Sequence, residues 1–292
     1  MQVESEDRFI EEPRKKGLPL LPIVAVAIIA IAAGWFFLSD KEPSSTGQLD
    51  TGAVTPADMA PNGGKPATEQ PAAPDIPRVS PMPAPTGDAP EETVAAEPPL
   101  TLAQSDPLVR TALSPSLEGS VFAAALTEDN LLERATALVD ATGNGGLLRE
   151  VLTIPKPEGK FEIVRVDGEI VADPANYRRY DVYAESIASL DMDYLATTFH
   201  RLRPLLEQAY AGLGYPAEEM DNALIRALDQ VIAAPVLDQP AVLEAHVNTF
   251  VYQDPELEQL SPLAKQLMRM GPANQAIVQS QAAKLRAALL GG

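Results

Sequence analysis

A run of uncharged residues near the N-terminus, GLPLLPIVAVAIIAIAAGWFFL at residues 17–38, constrains this chain more than any other feature. About 20 apolar residues in a helix cross the roughly 30 Å hydrocarbon core of a bilayer. Two prolines lie in its first turns, where few backbone hydrogen bonds are lost, and three aromatic residues at 35–37 lie at its end, where rings favour the interface. The sequence therefore predicts a single transmembrane helix over residues 17–38.

Charged residues around this run predict its orientation. Arg14, Lys15 and Lys16 precede it directly, whereas only Lys41 follows it closely. Because basic residues are enriched on the cytoplasmic side, we expect residues 1–16 to form a cytoplasmic tail and everything after residue 38 to lie across the membrane. A cleaved signal peptide is the alternative, but its apolar region usually spans only about 7–15 residues, so an uncleaved anchor is favoured.

Two small residues in the predicted span bear on oligomerisation. Ala30 and Gly34 are four positions apart, a spacing that lets two membrane helices pack closely. Ordinary lipid-facing positions are the alternative and favoured interpretation. The pair leaves a homo-oligomer open without establishing one.

Residues 39–103 have the composition of a linker. They contain 13 prolines, ten acidic residues, three basic residues and no aromatic residue. Such a segment buries too little apolar surface to offset the entropy lost on ordering. We therefore predict a disordered, proline-rich, acidic linker, in which a short partner motif such as PMPAP at 81–85 remains an option.

Overall composition excludes several classes of function. With 41 acidic and 22 basic residues the formal net charge is -19, which disfavours nucleic acid as a partner, because binding it requires clustered cations. The chain has no cysteine, which excludes disulfides, thiolate zinc sites and cysteine nucleophiles.

Residues 104–292 have the pattern of one mostly α-helical domain. Leucine, alanine and aromatic residues recur there at helical spacing, with Ser105 and Asp191 as N-cap candidates and Gly271–Pro272 as a stop and start signal. Asp167-Gly168 between two β-rich runs predicts one small β-hairpin. The stretch VLEAHVNTFVYQDPELEQL mixes β-branched and acidic residues and fits neither pattern well. The predicted fold is thus a membrane-anchored helical domain with one hairpin.

Several stretches of this domain together resemble a known family. They are SDPLVRTAL, DGEIVADPANYRRYDVYAESIASLD, LATTFHRLRPLLEQAYAGLGYP, YQDPELEQLSPLAKQLMRMGPANQ and KLRAALL. In order and spacing they resemble the bacterial membrane proteins grouped as domain of unknown function 3014. The resemblance implies a bacterial membrane protein with one anchored domain. Together with the orientation predicted from the flanking charges, it leads us to expect an inner-membrane protein whose C-terminal domain faces the periplasm. It implies no activity, cofactor or catalytic residue.

A search for reactive groups identifies no catalytic residue, no metal site and no cofactor site. The two histidines, His200 and His246, lie far apart in the sequence and lack a metal-binding pattern. TGNGG at 142–146 follows a helix rather than a strand, so it is typical of helix termination and not of a dinucleotide loop. Carboxylate pairs such as Asp191 and Asp193 lie at predicted helix starts, where they complement the helix dipole.

The stretch YRRYDVY at 177–183 has two interpretations. As a helix it places Tyr180, Tyr183 and Ile187 on one stripe that faces the core, which is the favoured interpretation. Alternatively, the stretch joins other arginines in a patch that binds an anionic ligand, because arginine and tyrosine are enriched at binding hot spots. The candidate patch consists of Tyr177, Arg178, Arg179, Tyr180, Arg201 and Arg203.

Two functional hypotheses follow. The first is a membrane-tethered interaction or scaffold protein of the bacterial envelope, with an envelope protein or an anionic ligand as partner. The second is a carboxylate-dependent hydrolase that acts on envelope polymers. A deep pocket with converging polar groups would favour the enzyme, and an arginine–tyrosine patch would favour the binding protein.

Overall fold

The computed structural model describes residues 74–78, 101–148, 151, 153–247 and 249–291. The predicted tail at 1–16, the predicted transmembrane helix at 17–38 and most of the predicted linker lie outside these residues. Within the described ranges, no helix combines the length and the apolarity needed to cross a membrane.

Helices make up most of the described chain, as the sequence predicts. The α-helices are α1 (Ser105–Leu117), α2 (Leu131–Gly143), α3 (Asp181–Ala188), α4 (Met192–Gly212), α5 (Met220–Ala233), α6 (Pro255–Glu258), α7 (Pro262–Arg269) and α8 (Gly271–Leu290). Short 3₁₀ helices cover Leu102–Gln104, Ala123–Thr127, Pro174–Tyr180 and Ala217–Glu219. The buried core is built mainly from α2, α4 and α5, with α8 packed against α3, α4 and α5.

Local sequence signals explain most helix ends. The Asp191 side chain accepts a hydrogen bond from the Tyr194 backbone N–H and caps α4, which confirms that prediction. Gly271, with a φ of 79°, separates α7 from α8 as expected. Ser105 is instead the first residue of α1, where its hydroxyl donates to the carbonyl of Leu102, so its assignment as an N-cap was wrong.

The sheet is larger than the sequence predicts. β1 (Ile163–Val166) and β2 (Glu169–Ala172) form the expected hairpin, and Asp167 and Gly168 both have positive φ, as a two-residue turn of type I′ requires. A second hairpin, β3 (Val242–His246) with β4 (Thr249–Tyr252), pairs with the first in an antiparallel sheet of order β1-β2-β3-β4. The prediction of one hairpin was therefore wrong, because pairing of β3 with β2 stabilises a segment whose local pattern is weak.

A short piece of the predicted linker lies on the domain. Residues 74–78, PDIPR, form no helix or strand, and the Ile76 side chain belongs to the hydrophobic core with only 2% of its surface exposed. These five residues thus lie against the domain although the sequence groups them with the predicted linker. The average composition of the predicted linker argues against order. A single apolar residue is nevertheless enough to bind the segment to the domain where the domain has a complementary site.

Candidate functional site

A cleft of about 470 Å³ lies between one face of the sheet and the helices. Its walls come from the sheet, from the 3₁₀ helix at Pro174–Tyr180 and from the end of α7. The lining residues are Lys160, Phe161, Ala172, Asn176, Tyr177, Leu237, Ala241, Leu243, Ala245, His246, Val247, Thr249, Phe250, Tyr252, Met268 and Arg269. The volume suits a small ligand or a few residues of a peptide.

Strand alternation builds the sheet wall. Leu243 pairs with Tyr252 and Ala245 with Phe250, so these four side chains share one face of the sheet. Phe161, just before β1, extends this wall, because its ring centre lies 6.2 Å from that of Phe250. The result is an apolar surface rich in aromatic rings.

Arg269, in the last turn of α7, supplies a cation to the helical wall. Its guanidinium interacts with the Tyr252 side chain. Burial lowers the pKa of Arg269, while the neighbouring Tyr252, Tyr180 and Glu258 raise it. A guanidinium stays protonated at neutral pH, so the cleft contains a positive charge that is partly removed from water.

Burial also changes the pKa values of the two tyrosines that line the cleft. It raises the pKa of Tyr252 and that of Tyr177 above the usual value of 10.0, so both phenols stay protonated. A protonated phenol both donates and accepts hydrogen bonds. The cleft therefore offers phenol hydroxyl groups as well as the Arg269 cation.

An ion pair behind the cleft fixes the end of β4. The Glu258 carboxylate accepts hydrogen bonds from the Tyr252 backbone N–H at 2.9 Å and from Lys265 Nζ at 2.7 Å. Burial alone would raise the pKa of Glu258, but these hydrogen bonds outweigh it and lower the pKa. Glu258 thus stays ionised and holds the strand that carries Tyr252.

The charge of the lining contrasts with that of the chain. Two of the described lining residues, Lys160 and Arg269, are basic, and none of the described lining residues has a carboxylate. The chain as a whole has a net charge of -19. Cations at an apolar cleft fit a ligand that combines an anionic group with an apolar body.

A second depression is larger but more open. It measures about 680 Å³ and lies between the ends of α3 and α8 and the start of α4. No aromatic side chain is among the described residues that line it, and its charged residues, Asp193 and Lys284, have opposite signs. It differs in both respects from the first cleft, whose described lining has aromatic rings and no carboxylate.

The structure divides the predicted patch. Tyr177 lines the cleft, whereas Tyr180 is buried on one stripe with Tyr183 and Ile187, which confirms the core interpretation for that stripe. Arg178 is exposed. Arg179 donates from Nε to the Glu158 carbonyl at 2.9 Å and from Nη2 to the Gly159 carbonyl at 3.0 Å, and so binds the loop before β1.

The two arginines of α4 lie elsewhere. Arg201 is exposed and lies near Tyr194, whose pKa it lowers against the larger effect of burial. Arg203 is buried, forms an ion pair with Asp221 and donates to the backbone of residues 76 and 77. Neither lines the cleft, so the described structure brings only Tyr177 of the six candidates into it.

Sequence reasoning missed Arg269, Tyr252 and Lys160. Arg269 follows a run of helix-forming residues, and nothing in its local pattern separates it from a surface arginine. Within the described ranges, no group of three or more His, Asp or Glu side chains is placed to hold a metal ion.

The comparison with protein families identifies the chain. A family model described as protein of unknown function (DUF3014) matches residues 131–286. The chain belongs to the DUF3014 family. The DUF3014 match includes every described residue that lines the cleft, whereas residues 74–78 and α1 lie outside it. No curated protein and no solved structure matches the chain.

Proposed function

We propose that this DUF3014 chain is a membrane-tethered interaction or scaffold protein of the bacterial envelope, and that its domain binds an anionic, partly apolar group of a partner in the cleft. One observation carries the proposal. The cleft of an acidic protein is lined by aromatic rings and cations, and by no carboxylate among the described residues.

The expected binding mode follows from the apolar and the cationic side chains that line the cleft. An apolar body would pack against Phe161, Leu243 and Phe250, where burial of apolar surface supplies about 25 cal/mol per Å². A carboxylate or phosphate would bind near Arg269, whose forked geometry suits both groups. Lys160 at the rim would attract the anion at longer range.

Tethering supports a scaffold role. The predicted anchor would confine the domain to the membrane surface, and confinement raises the effective concentration of a partner in the same membrane. Because residues 74–78 lie on the domain, residues 39–73 set its reach from the predicted anchor, and random-coil statistics give them a typical span of about 30–35 Å. Weak contacts in the cleft would then suffice for association.

The hydrolase alternative receives less support. Hydrolysis by a carboxylate pair needs two such groups on opposite sides of the bound substrate. None lines the cleft among the described residues. We therefore favour binding over catalysis.

Binding of a defined amphipathic anion tests the cleft. The probe is anilinonaphthalene sulfonate, which combines aromatic rings with a sulfonate, titrated into the full chain and followed by its fluorescence. We expect Lys160→Glu to weaken binding several-fold with an unchanged Tm. Lys156→Glu is the matched control, because it makes the same charge change four residues away at an exposed position that does not line the cleft. Equal affinity in both variants would refute the proposed site.

Crosslinking in cells tests the partner. Val247, at the tip of the β3–β4 hairpin, lines the cleft and is 93% exposed, so a photo-crosslinking residue there reaches a bound partner. We expect captured envelope proteins to be lost in the Lys160→Glu chain and kept in the Lys156→Glu chain. Identical captures from both chains would place the interaction away from the cleft.

A further inference from the structure

Residues 74–78 bind the domain through one inserted side chain. Ile76 is 2% exposed, whereas Pro74, Asp75, Pro77 and Arg78 are all exposed. A single apolar anchor in a pocket, with polar flanks at the surface, is the usual anatomy of a short peptide on its recognition site. The segment therefore contacts the domain as a bound peptide does.

A buried guanidinium holds the backbone of this segment. Arg203 of α4 donates from Nη2 to the carbonyl of Ile76 at 3.0 Å and from Nη1 to the carbonyl of Pro77 at 3.2 Å. Asp221 of α5 forms an ion pair with the same guanidinium, and the two side chains are 7% and 8% exposed. Two consecutive peptide carbonyls are thus recognised by one charged pair inside the domain.

An exposed ion pair adds selectivity at the end of the segment. Arg78 Nη2 lies 2.8 Å from Glu207 Oε1, and the same Glu207 oxygen lies 3.6 Å from Arg203 Nε. An exposed pair of this kind contributes little to affinity but disfavours an acidic residue at position 78.

The site is incomplete without the segment. Removing it would take two acceptors from a buried guanidinium and expose the apolar pocket of Ile76, and buried charges are costly unless their hydrogen bonds are made. The segment is also preorganised, because Pro77 restricts Ile76 to extended conformations and fixes its own φ. Preorganisation lowers the entropy lost on binding.

We propose that the surface around Arg203, Asp221 and Glu207 is a peptide-recognition site for an extended Ile-Pro-Arg segment, and that residues 74–78 of the same chain are its resident, exchangeable ligand. Residues 79–100 connect the segment to the domain, and a linker of this length gives an effective concentration on the order of millimolar. Binding within the chain therefore dominates over dilute competitors. The site shares no residue with the cleft, so this proposal is independent of the proposed function.

Distance measurement tests occupancy in the full chain. The chain lacks cysteine, so Ser80→Cys and Gln208→Cys introduce the only two labelling sites for spin labels. We expect one short, narrow distance distribution that becomes long and broad in Ile76→Asp. Val94→Asp is the control, because it adds the same charge at another β-branched residue of the predicted linker, and the short distance should persist. An unchanged distribution in Ile76→Asp overturns the proposal.

Dilution separates binding within the chain from exchange between chains. The labelled protein is measured again with a tenfold excess of unlabelled chain. The short distance should persist, because both labels are in one molecule. Its loss would place the segment on a second copy and overturn the arrangement within one chain.

A peptide tests recognition without altering the domain. A fluorescent peptide of residues 71–81 should bind the Ile76→Asp chain, whose site is empty, at least tenfold more tightly than the unmodified chain, whose site is filled. Peptides with aspartate in place of the isoleucine, or glutamate in place of the arginine, should bind more weakly than the parent. If Ile76→Asp fails to fold, Ile76→Ala replaces it. Equal binding of the parent and aspartate peptides would overturn the proposal.

Discussion

The ring of Tyr177 lies against the backbone of Gly271, so closely that a Cβ at position 271 would be 2.4 Å from Tyr177 Cγ. The backbone carbonyl of Tyr177 also accepts a hydrogen bond from Asn274 Nδ2 at 2.9 Å. The start of α8 thus positions the 3₁₀ helix that forms one wall of the cleft. Gly271 is required twice, for this approach and for its φ of 79°.

Substitution of Gly271 should therefore be costly. We expect Gly271→Ala to lower the free energy of unfolding by about 2–4 kcal/mol, because the methyl group displaces Tyr177 and the left-handed backbone is strained. Chemical denaturation measures the change. Gly212→Ala is the control: apart from its chain neighbours and the backbone of its own helix, no atom lies within 4 Å of the point that its new methyl group would occupy, and it should not lower the free energy of unfolding. Equal effects at both positions would contradict the packing described.

The carboxylate of Asp106, in α1, caps the N-terminal end of α2. It accepts hydrogen bonds from the backbone N–H groups of Asn130 and Leu131, both at 2.8 Å. We expect Asp106→Ala to lower the unfolding free energy by about 1–2 kcal/mol, since two N–H groups at the helix start lose their acceptor. Asp129→Ala, which removes a highly exposed partner of Arg110, should cost less than about 1 kcal/mol. Thermal and denaturant melts measure the loss of stability in both variants. Equal losses would contradict the capping role of Asp106.

The buried pair Arg203–Asp221 should behave differently from an exposed pair. Asp221→Ala removes the nearer carboxylate from a buried guanidinium and leaves it the more distant Glu207, 3.6 Å from Arg203 Nε, so we expect a loss of about 3–5 kcal/mol. The double variant Arg203→Met, Asp221→Leu should cost less than Asp221→Ala, because no unpaired charge remains. Asp229→Ala, which breaks the more exposed pair with Arg286, is the control and should cost less than about 1 kcal/mol. If the double variant is as unstable as Asp221→Ala, the loss of stability comes from altered packing and not from an unpaired charge.

His200 should make stability depend on pH. Burial, and secondarily the charge of Arg203, lowers the pKa of His200 below its usual 6.5. The unfolded chain then binds a proton more readily than the folded chain, so the contribution of neutral His200 is present above about pH 6.5 and is lost as the pH falls through the lower folded value. We expect His200→Leu to flatten the decline of stability between about pH 7 and 5. Denaturant melts of both chains across this range measure the effect, and a His200→Leu chain whose stability declines as steeply as that of the unmodified chain would contradict the role given to His200.

Local signals predicted the elements that depend on neighbouring residues in the chain. Asp167-Gly168 predicted the first hairpin because that turn needs two positive φ angles, and Asp191 predicted the start of α4 because capping involves residues three apart. The second hairpin depends on pairing of Leu243 with Ile170, which no local pattern reports. The same limit applies to Ile76, whose partner Arg203 lies far along the sequence.

The cleft could be predicted only in part for the same reason. YRRYDVY predicted that tyrosines and arginines matter, and Tyr177 does line the cleft. The helical pattern of α4 did not show that Arg203 is buried. Its burial depends on the ion pair with Asp221, which is on another helix. Arg269 belongs to the cleft only because α7 packs beside the sheet, which is a tertiary relationship.

The pairing of β2 with β3 has a consequence for synthesis. Three helices, α3, α4 and α5, lie between these strands in the chain, so β2 presents an open edge until the second hairpin has emerged. Contacts between such distant segments form slowly. Arg269 emerges later still. A chain interrupted before α7 would therefore contain Lys160 but lack Arg269, and the proposed ligand capture would begin only once nearly the whole polypeptide had been made.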